Sequence, residues 1–144
     1  MLSDTQQPDI QIAGFDLWIH GRQFPECDDY CDGNWLDVTA RCLADSSVVT
    51  VNGPFIHLPE LHQWMNECKN ISASLSGEAK LSCMEPNIAL KIKMICLGNC
   101  ELSVFITPDN LLQEHSFRFA IDQSYLPHLI KSLEVILNAF PLKK

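Results

Sequence analysis

Basic residues are scarce at the front of this chain. Residues 1–62 hold ten acids but only two bases, Arg22 and Arg41, a balance of −8; residues 63–144 hold eight of each and balance to zero. The whole net charge of −8 therefore belongs to the N-terminal part. Such a field repels phosphate backbones, which argues against nucleic acid as a partner. It would attract and steer a basic partner instead. No apolar run approaches membrane-spanning length, so no membrane partner is expected. The opening MLSDTQQPDI has neither a basic n-region nor an apolar h-region, unlike a signal peptide. The expectation is a reducing cytoplasm in which the seven cysteines, an odd number, stay free thiols. Gly-rich phosphate loops, nucleophile elbows and HExxH are also missing. His20, His57, His62, His115 and His128 are scattered without a nucleophile–base motif. No catalytic residue, cofactor or enzymatic activity is expected.

What is present reads as an ordinary globular chain, 47% apolar and 19% charged, with no visible internal repeat. A length of 144 suggests one domain over residues 9–144 after a flexible N-terminus, residues 1–8. Ile10 and Ile12 keep one parity, and Phe15, Leu17 and Ile19 the other. Gly14 sits where the phase changes, as a bulge or turn requires. Leu36, Val38, Ala40 and Cys42 alternate with Asp37, Thr39 and Arg41, a half-buried strand. Beyond the ADSS turn, Val49, Val51 and Phe55 form its hairpin partner, broken or bulged at Gly53-Pro54. Leu58 to Leu75 reads as a helix, with Leu61, Trp64, Met65, Cys68, Ile71 and Leu75 in one stripe and Gly77 as its stop.

Four strands follow, around residues 79–83, 88–96, 102–106 and 117–121. A final helix starts near Ser124 as N-cap, with Pro127 in its first turn. The predicted fold class is α+β: one antiparallel sheet of about six to seven strands, ordered β-β-β-α-β-β-β-β-α, with two amphipathic helices packed on one face.

The most unusual stretch is Glu26 to Trp35, ECDDYCDGNW, with four carboxylates, two cysteines, a tyrosine and a tryptophan. As an EF-hand it fails. With Gly33 at loop position six, Tyr30 falls at position three and Thr39 at twelve, where a bidentate Glu is needed. Cys27-x3-Cys31 and Cys96-x3-Cys100 are spaced more loosely than usual zinc pairs, and Cys96 shares the inward parity of Met94, so no metal is expected. Neighbouring acids raise a thiol pKa, the wrong direction for a nucleophile. A binding surface fits better. Glu26, Asp28, Asp29, Asp32 and, just beyond, Asp37 supply fixed negative charge; Tyr30 and Trp35 are residue types that anchor interfaces. The alternative is that Trp35 plugs the core and the acids merely solvate a turn built on Asp32-Gly33-Asn34.

Three segments, GRQFPECDDYCDGNWL (21–36), LSGEAKLSCMEPN (75–87) and FAIDQSYLPHLI (119–130), together resemble the WapI-type immunity proteins. The resemblance implies a small cytoplasmic bacterial antidote. Its expected partner is the toxic C-terminal domain of a cognate secreted polymorphic toxin, in WapA-type systems a tRNA-cleaving nuclease. An RNase needs a cationic cleft, which the 26–37 acidic segment would oppose. The competing expectation is a non-catalytic α+β ligand-binding or structural module unrelated to toxins.

Overall fold

A computed structural model describes residues 6–144. Most of the segment predicted as a flexible N-terminus, residues 1–5, lies outside the described residues. From Gln6 onward the chain is tied down: its carbonyl accepts a hydrogen bond from the Trp18 indole at 3.1 Å.

β1 (Ile10–Ile12) and β2 (Phe15–Arg22) are separate antiparallel strands joined through Ala13 and Gly14. Ile10 stands opposite Leu17 and Ile12 opposite Phe15, so all four share the buried face. Of the bulge or turn expected at Gly14 the structure has the turn: residues 10–22 are a strand pair, and the reversal of the chain brings both parities to one face. Gly14 is needed for close approach: a Cβ there would lie 2.0 Å from the Leu43 carbonyl oxygen. β3 (Trp35–Ala44) pairs with both β2 and β4 (Ser47–His57). Leu36 pairs with Ile56 but Val38 with Gly53, so Pro54 and Phe55 together face the single Asp37 and β4 carries one extra residue. The bulge falls at Gly53-Pro54, where proline has no N–H to lose from the ladder.

α1 (Leu58–Ser74) begins with Pro59 in its first turn and buries Leu58, Leu61, Trp64, Met65, Cys68 and Ile71. Leu75 does not belong to the stripe. It adopts the left-handed conformation that ends the helix (φ 54), its N–H bonds the Ile71 carbonyl, and its side chain is exposed. β5 (Glu78–Ser82), β6 (Ile88–Met94), β7 (Asn99–Ile106) and β8 (Ser116–Asp122) follow. Leu97 and Gly98, both at positive φ, make the tight β6–β7 turn. That turn carries Cys96 into solvent, against the inward position expected for it. Cys100 occupies the buried site instead, its Sγ 3.3 Å from Met94 Sδ. α2 (Leu126–Ala139) is preceded by a 3-10 turn, Gln123–Tyr125. Asp122, not Ser124, is the cap: its Oδ1 accepts the Ser124 N–H at 2.8 Å.

The strands form two four-stranded sheets, β1-β2-β3-β4 and β5-β6-β7-β8, every pairing antiparallel. The class is α+β, but the single sheet of six to seven strands is wrong. The described residues form eight strands, ordered β-β-β-β-α-β-β-β-β-α. Alternation along a strand says which residues point inward; it does not say which edge the strand joins. Here α1 carries the chain from β4 to a new sheet. Each half is a four-stranded meander followed by a helix, a repeat of topology that the residues themselves do not display. α1 packs on α2, β4 and β5, α2 packs on β1, and β7 meets β3 and β4. Side chains from both sheets and both helices join one buried apolar cluster. Among the described residues no helix is long and apolar enough to cross a membrane.

Cys68, on the inner face of α1, is fully buried, and burial pushes its thiol from the usual 9.0 up to about 12. The unfolded chain releases this proton first, so the contribution to stability is complete below pH 9 and is lost as pH rises towards 12. Urea titrations should therefore show stability falling by up to about 1.4 kcal/mol per pH unit from this group. A Cys68→Ala variant should decline less steeply over that window; an identical slope would remove Cys68 as the cause.

Candidate functional site

The acidic segment 23–34 connects β2 to β3 and is folded back on itself by its own backbone. Cys27 N–H bonds the Phe24 carbonyl (3.1 Å) and Gly33 N–H bonds the Asp29 carbonyl (3.0 Å). Gly33 is buried beneath the loop. A Cβ there would lie 2.5 Å from the Cys27 carbonyl oxygen and 2.6 Å from that of Asp29, both main-chain atoms. Gly33→Ala must therefore shift the loop. A loss of about 1–3 kcal/mol is expected by thermal or denaturant unfolding; an unchanged midpoint would mean that the loop gives way without cost.

Asn34 is fully buried and ties three segments together. Its amide nitrogen donates to the Tyr30 carbonyl and to the Lys143 carbonyl, each at 2.9 Å, and its oxygen accepts the Lys143 N–H at 2.9 Å. Arg22 donates to the Gly33 carbonyl (2.7 Å) and to the Pro141 carbonyl. The Lys143 ammonium donates to the Pro25 carbonyl (2.9 Å) and the Cys27 carbonyl. It also lies 3.6 Å from Asp28, but that carboxylate is 96% exposed. An ion pair so open to water contributes little. The hydrogen bonds to main-chain carbonyls are what hold the lysine, and through it the C-terminal tail, against the loop.

Few cations remain to neutralise this surface. Arg41 is committed to Asp16 at 3.0 Å and lies over the Trp18 ring, 4.9 Å from its centroid. Arg22 and Lys143 are turned onto carbonyl oxygens. Among the described residues Glu26, Asp29 and Asp32 form no ion pair, and their side chains are exposed, as is that of Asp28. Desolvation first, and then Glu26, Asp29 and Asp32, push the Cys27 thiol up, while Lys143 pulls it down. The net push disfavours the thiolate, the reactive form of the sulfur. No group of three or more His, Cys, Asp or Glu among the described residues is placed to hold a metal ion.

The structure brings Tyr30 and Trp35 together around a residue that the sequence reading left unassigned. His57, the last residue of β4, is buried, and its Nε2 lies 3.1 Å from the carbonyls of both Tyr30 and Cys31. Two acceptors require that this nitrogen be the donor. The ring meets Tyr30 edge-on (centroids 5.6 Å) and lies against Trp35 (4.7 Å). Trp35 is half-buried and Tyr30 is 51% exposed, so neither is a core plug. Beside them opens a groove of about 460 Å³ lined by Tyr30, Trp35, His57, Glu60 and Met84, among others. Glu60 is fixed by two backbone donors, the N–H of His57 at 2.8 Å and that of Met84 at 2.7 Å.

Asp37 does not join this group. It is half-buried two residues further along β3, in a separate hollow of about 620 Å³ with His20, Thr39 and Asn52. Thr39, expected on the solvent side, is buried. His20 donates to its hydroxyl at 2.7 Å, and the hydroxyl donates to Asn52. These polar groups satisfy one another and leave little for a ligand. Gly33 and Asn34 are recognisable from sequence as turn residues, but the bonds of Asn34 to the C-terminal tail and the supporting roles of Arg22, His57 and Lys143 are not. One signal did exist: His57-Leu58-Pro59-Glu60 has the spacing of a capping box with proline in the first turn, and it does start α1.

A family model described as "Immunity protein WapI-like family" matches residues 6–141. The search of curated proteins gives no match. A solved structure titled "Crystal Structure of WHY3 from Arabidopsis thaliana" aligns over 91% of this chain and 85% of that one, at 14% identity and a TM-score of 0.43. That likeness is too distant to bear on fold or function.

Proposed function

The chain belongs to the immunity protein WapI-like family, and from that premise we propose that it is a cytoplasmic antidote, which binds the C-terminal domain of a cognate toxin and neutralises it without catalysis. The surface proposed to face the toxin is the acidic loop: Glu26, Asp28, Asp29 and Asp32, with Tyr30 and Trp35 as anchors and Asp37 at the margin. The observation that carries this reading is the exposed acidity of the loop, where of Glu26, Asp28, Asp29 and Asp32 only Asp28 has a cation beside it, Lys143 at 3.6 Å. Four carboxylates are exposed on one braced loop, and the nearby cations are turned inward onto carbonyl oxygens. Such a surface complements a cationic cleft and accelerates encounter with it. A nuclease, which must hold phosphates, is the toxin class with that cleft. Nucleic acid and membrane are not partners in this reading.

The test is direct. The candidate is a secreted toxin encoded beside this chain: its C-terminal domain, expected to be small and basic, is purified and mixed with the protein. A stable complex that abolishes toxin activity supports the antidote role. Full toxin activity in the presence of excess protein would end it.

A further inference from the structure

The groove beside the acidic loop has a shape and chemistry of its own, apart from net charge. Its walls are aromatic and thioether: Tyr30, Trp35, His57 and Met84. Tyr30 and Met84 stand at its rim, 51% and 66% exposed. Glu60 is held in one orientation by the His57 and Met84 N–H groups; the Cys83 thiol also bonds to it, and the carboxylate keeps acceptor capacity for a further donor. No lysine or arginine lines the groove. Asp29 and Asp32 are the chain neighbours of Tyr30 and Cys31 and are exposed, so with Glu60 they put negative charge on this side of the groove.

We infer that this groove receives an arginine side chain of the toxin, its guanidinium stacked against Tyr30 and Trp35 and hydrogen-bonded to Glu60. The inference rests on the antidote reading and goes beyond it by naming what enters. Charge complementarity selects a cation. The aromatic walls then select guanidinium over ammonium, because the planar ion is more weakly hydrated and stacks on rings. Its five donors can also reach a carboxylate whose oxygens are already shared with backbone N–H groups.

Two arms test this. In the first, the labelled protein is titrated by NMR with an arginine-rich decapeptide and with its lysine counterpart of equal charge. The arginine peptide should shift the Trp35 indole and Met84 methyl signals and bind about fivefold more tightly than the lysine peptide. Tyr30→Ala and Met84→Ala should each erase most of that preference; Met84→Ala, at 66% exposure, should leave the melting temperature unchanged, and Tyr30→Ala should lose only the edge contact with His57. Equal binding of the two peptides, untouched by either substitution, overturns the inference. In the second arm the same variants meet the toxin domain. Faster dissociation from both supports the arginine slot. If they dissociate like wild type while Asp28→Asn/Asp29→Asn/Asp32→Asn still slows association, the slot falls and the antidote reading stands. No complex with any variant or with wild type overturns the antidote reading itself, and the toxin as occupant with it.

Discussion

Asn34→Ala is expected to lower the stability of the protein by about 3 kcal/mol and to release both the acidic loop and the C-terminal tail. The side chain is fully buried and makes three hydrogen bonds of 2.9 Å. Alanine leaves the carbonyls of Tyr30 and Lys143 and the N–H of Lys143 without that partner. Each unsatisfied buried group costs about 1–3 kcal/mol, with some recovered as water enters. Denaturant unfolding reads the loss, and limited proteolysis between residues 24 and 33 reads the released loop. The isosteric Asn34→Asp cannot donate to either carbonyl, so it should not rescue. A midpoint and digestion pattern like the wild type's would mean that Arg22 and Lys143 brace the loop unaided.

Exchanging Asp28, Asp29 and Asp32 together for asparagine has the opposite signature. These side chains are exposed and carry little of the fold. Asp29 accepts only a long bond, 3.4 Å from the Asp32 N–H, and the Asp28 partnership with Lys143 is screened by water. Stability should hardly move. Association with the toxin domain should slow by about ten- to a hundredfold at low salt, and its dependence on ionic strength should flatten. Near physiological salt, where screening acts within about 8 Å, the difference should shrink. Stopped-flow association over a salt series checks this. An unchanged rate and salt slope would remove the loop from the interface, whatever binds elsewhere. The two substitutions separate two duties of one loop: Asn34 holds its shape, and the aspartates present its charge.

Much of this was legible in the residues because it depends on neighbours in the chain. The alternation of Leu36, Val38, Ala40 and Cys42 gave β3, and the helical stripe from Leu61 to Ile71 gave α1, since inward-facing apolar periodicity is a property of the local backbone. The turn chemistry of Asp32-Gly33-Asn34 and the acidity of the loop were equally plain. The resemblance carried by three quoted segments agrees with the family model over residues 6–141. Ser124 misled because a serine ahead of an apolar run usually caps a helix, whereas Asp122 caps a 3-10 turn here. Cys96 misled because its parity was extended past the end of β6 into a turn.

Sequence alone determined the charge imbalance, the elements and most inward-facing positions, all of which follow from residue type and local periodicity. Only the tertiary structure decided the division into two sheets, the meeting of Tyr30, Trp35 and His57, and the clamp of Asn34 and Lys143 across 109 residues. Strand edges are chemically alike, and a lysine near the end of the chain bears no mark of the carbonyls it will meet. Such pairings are chosen by the packing of the whole chain, where a contact between distant residues forms only because every intervening element has already taken its place.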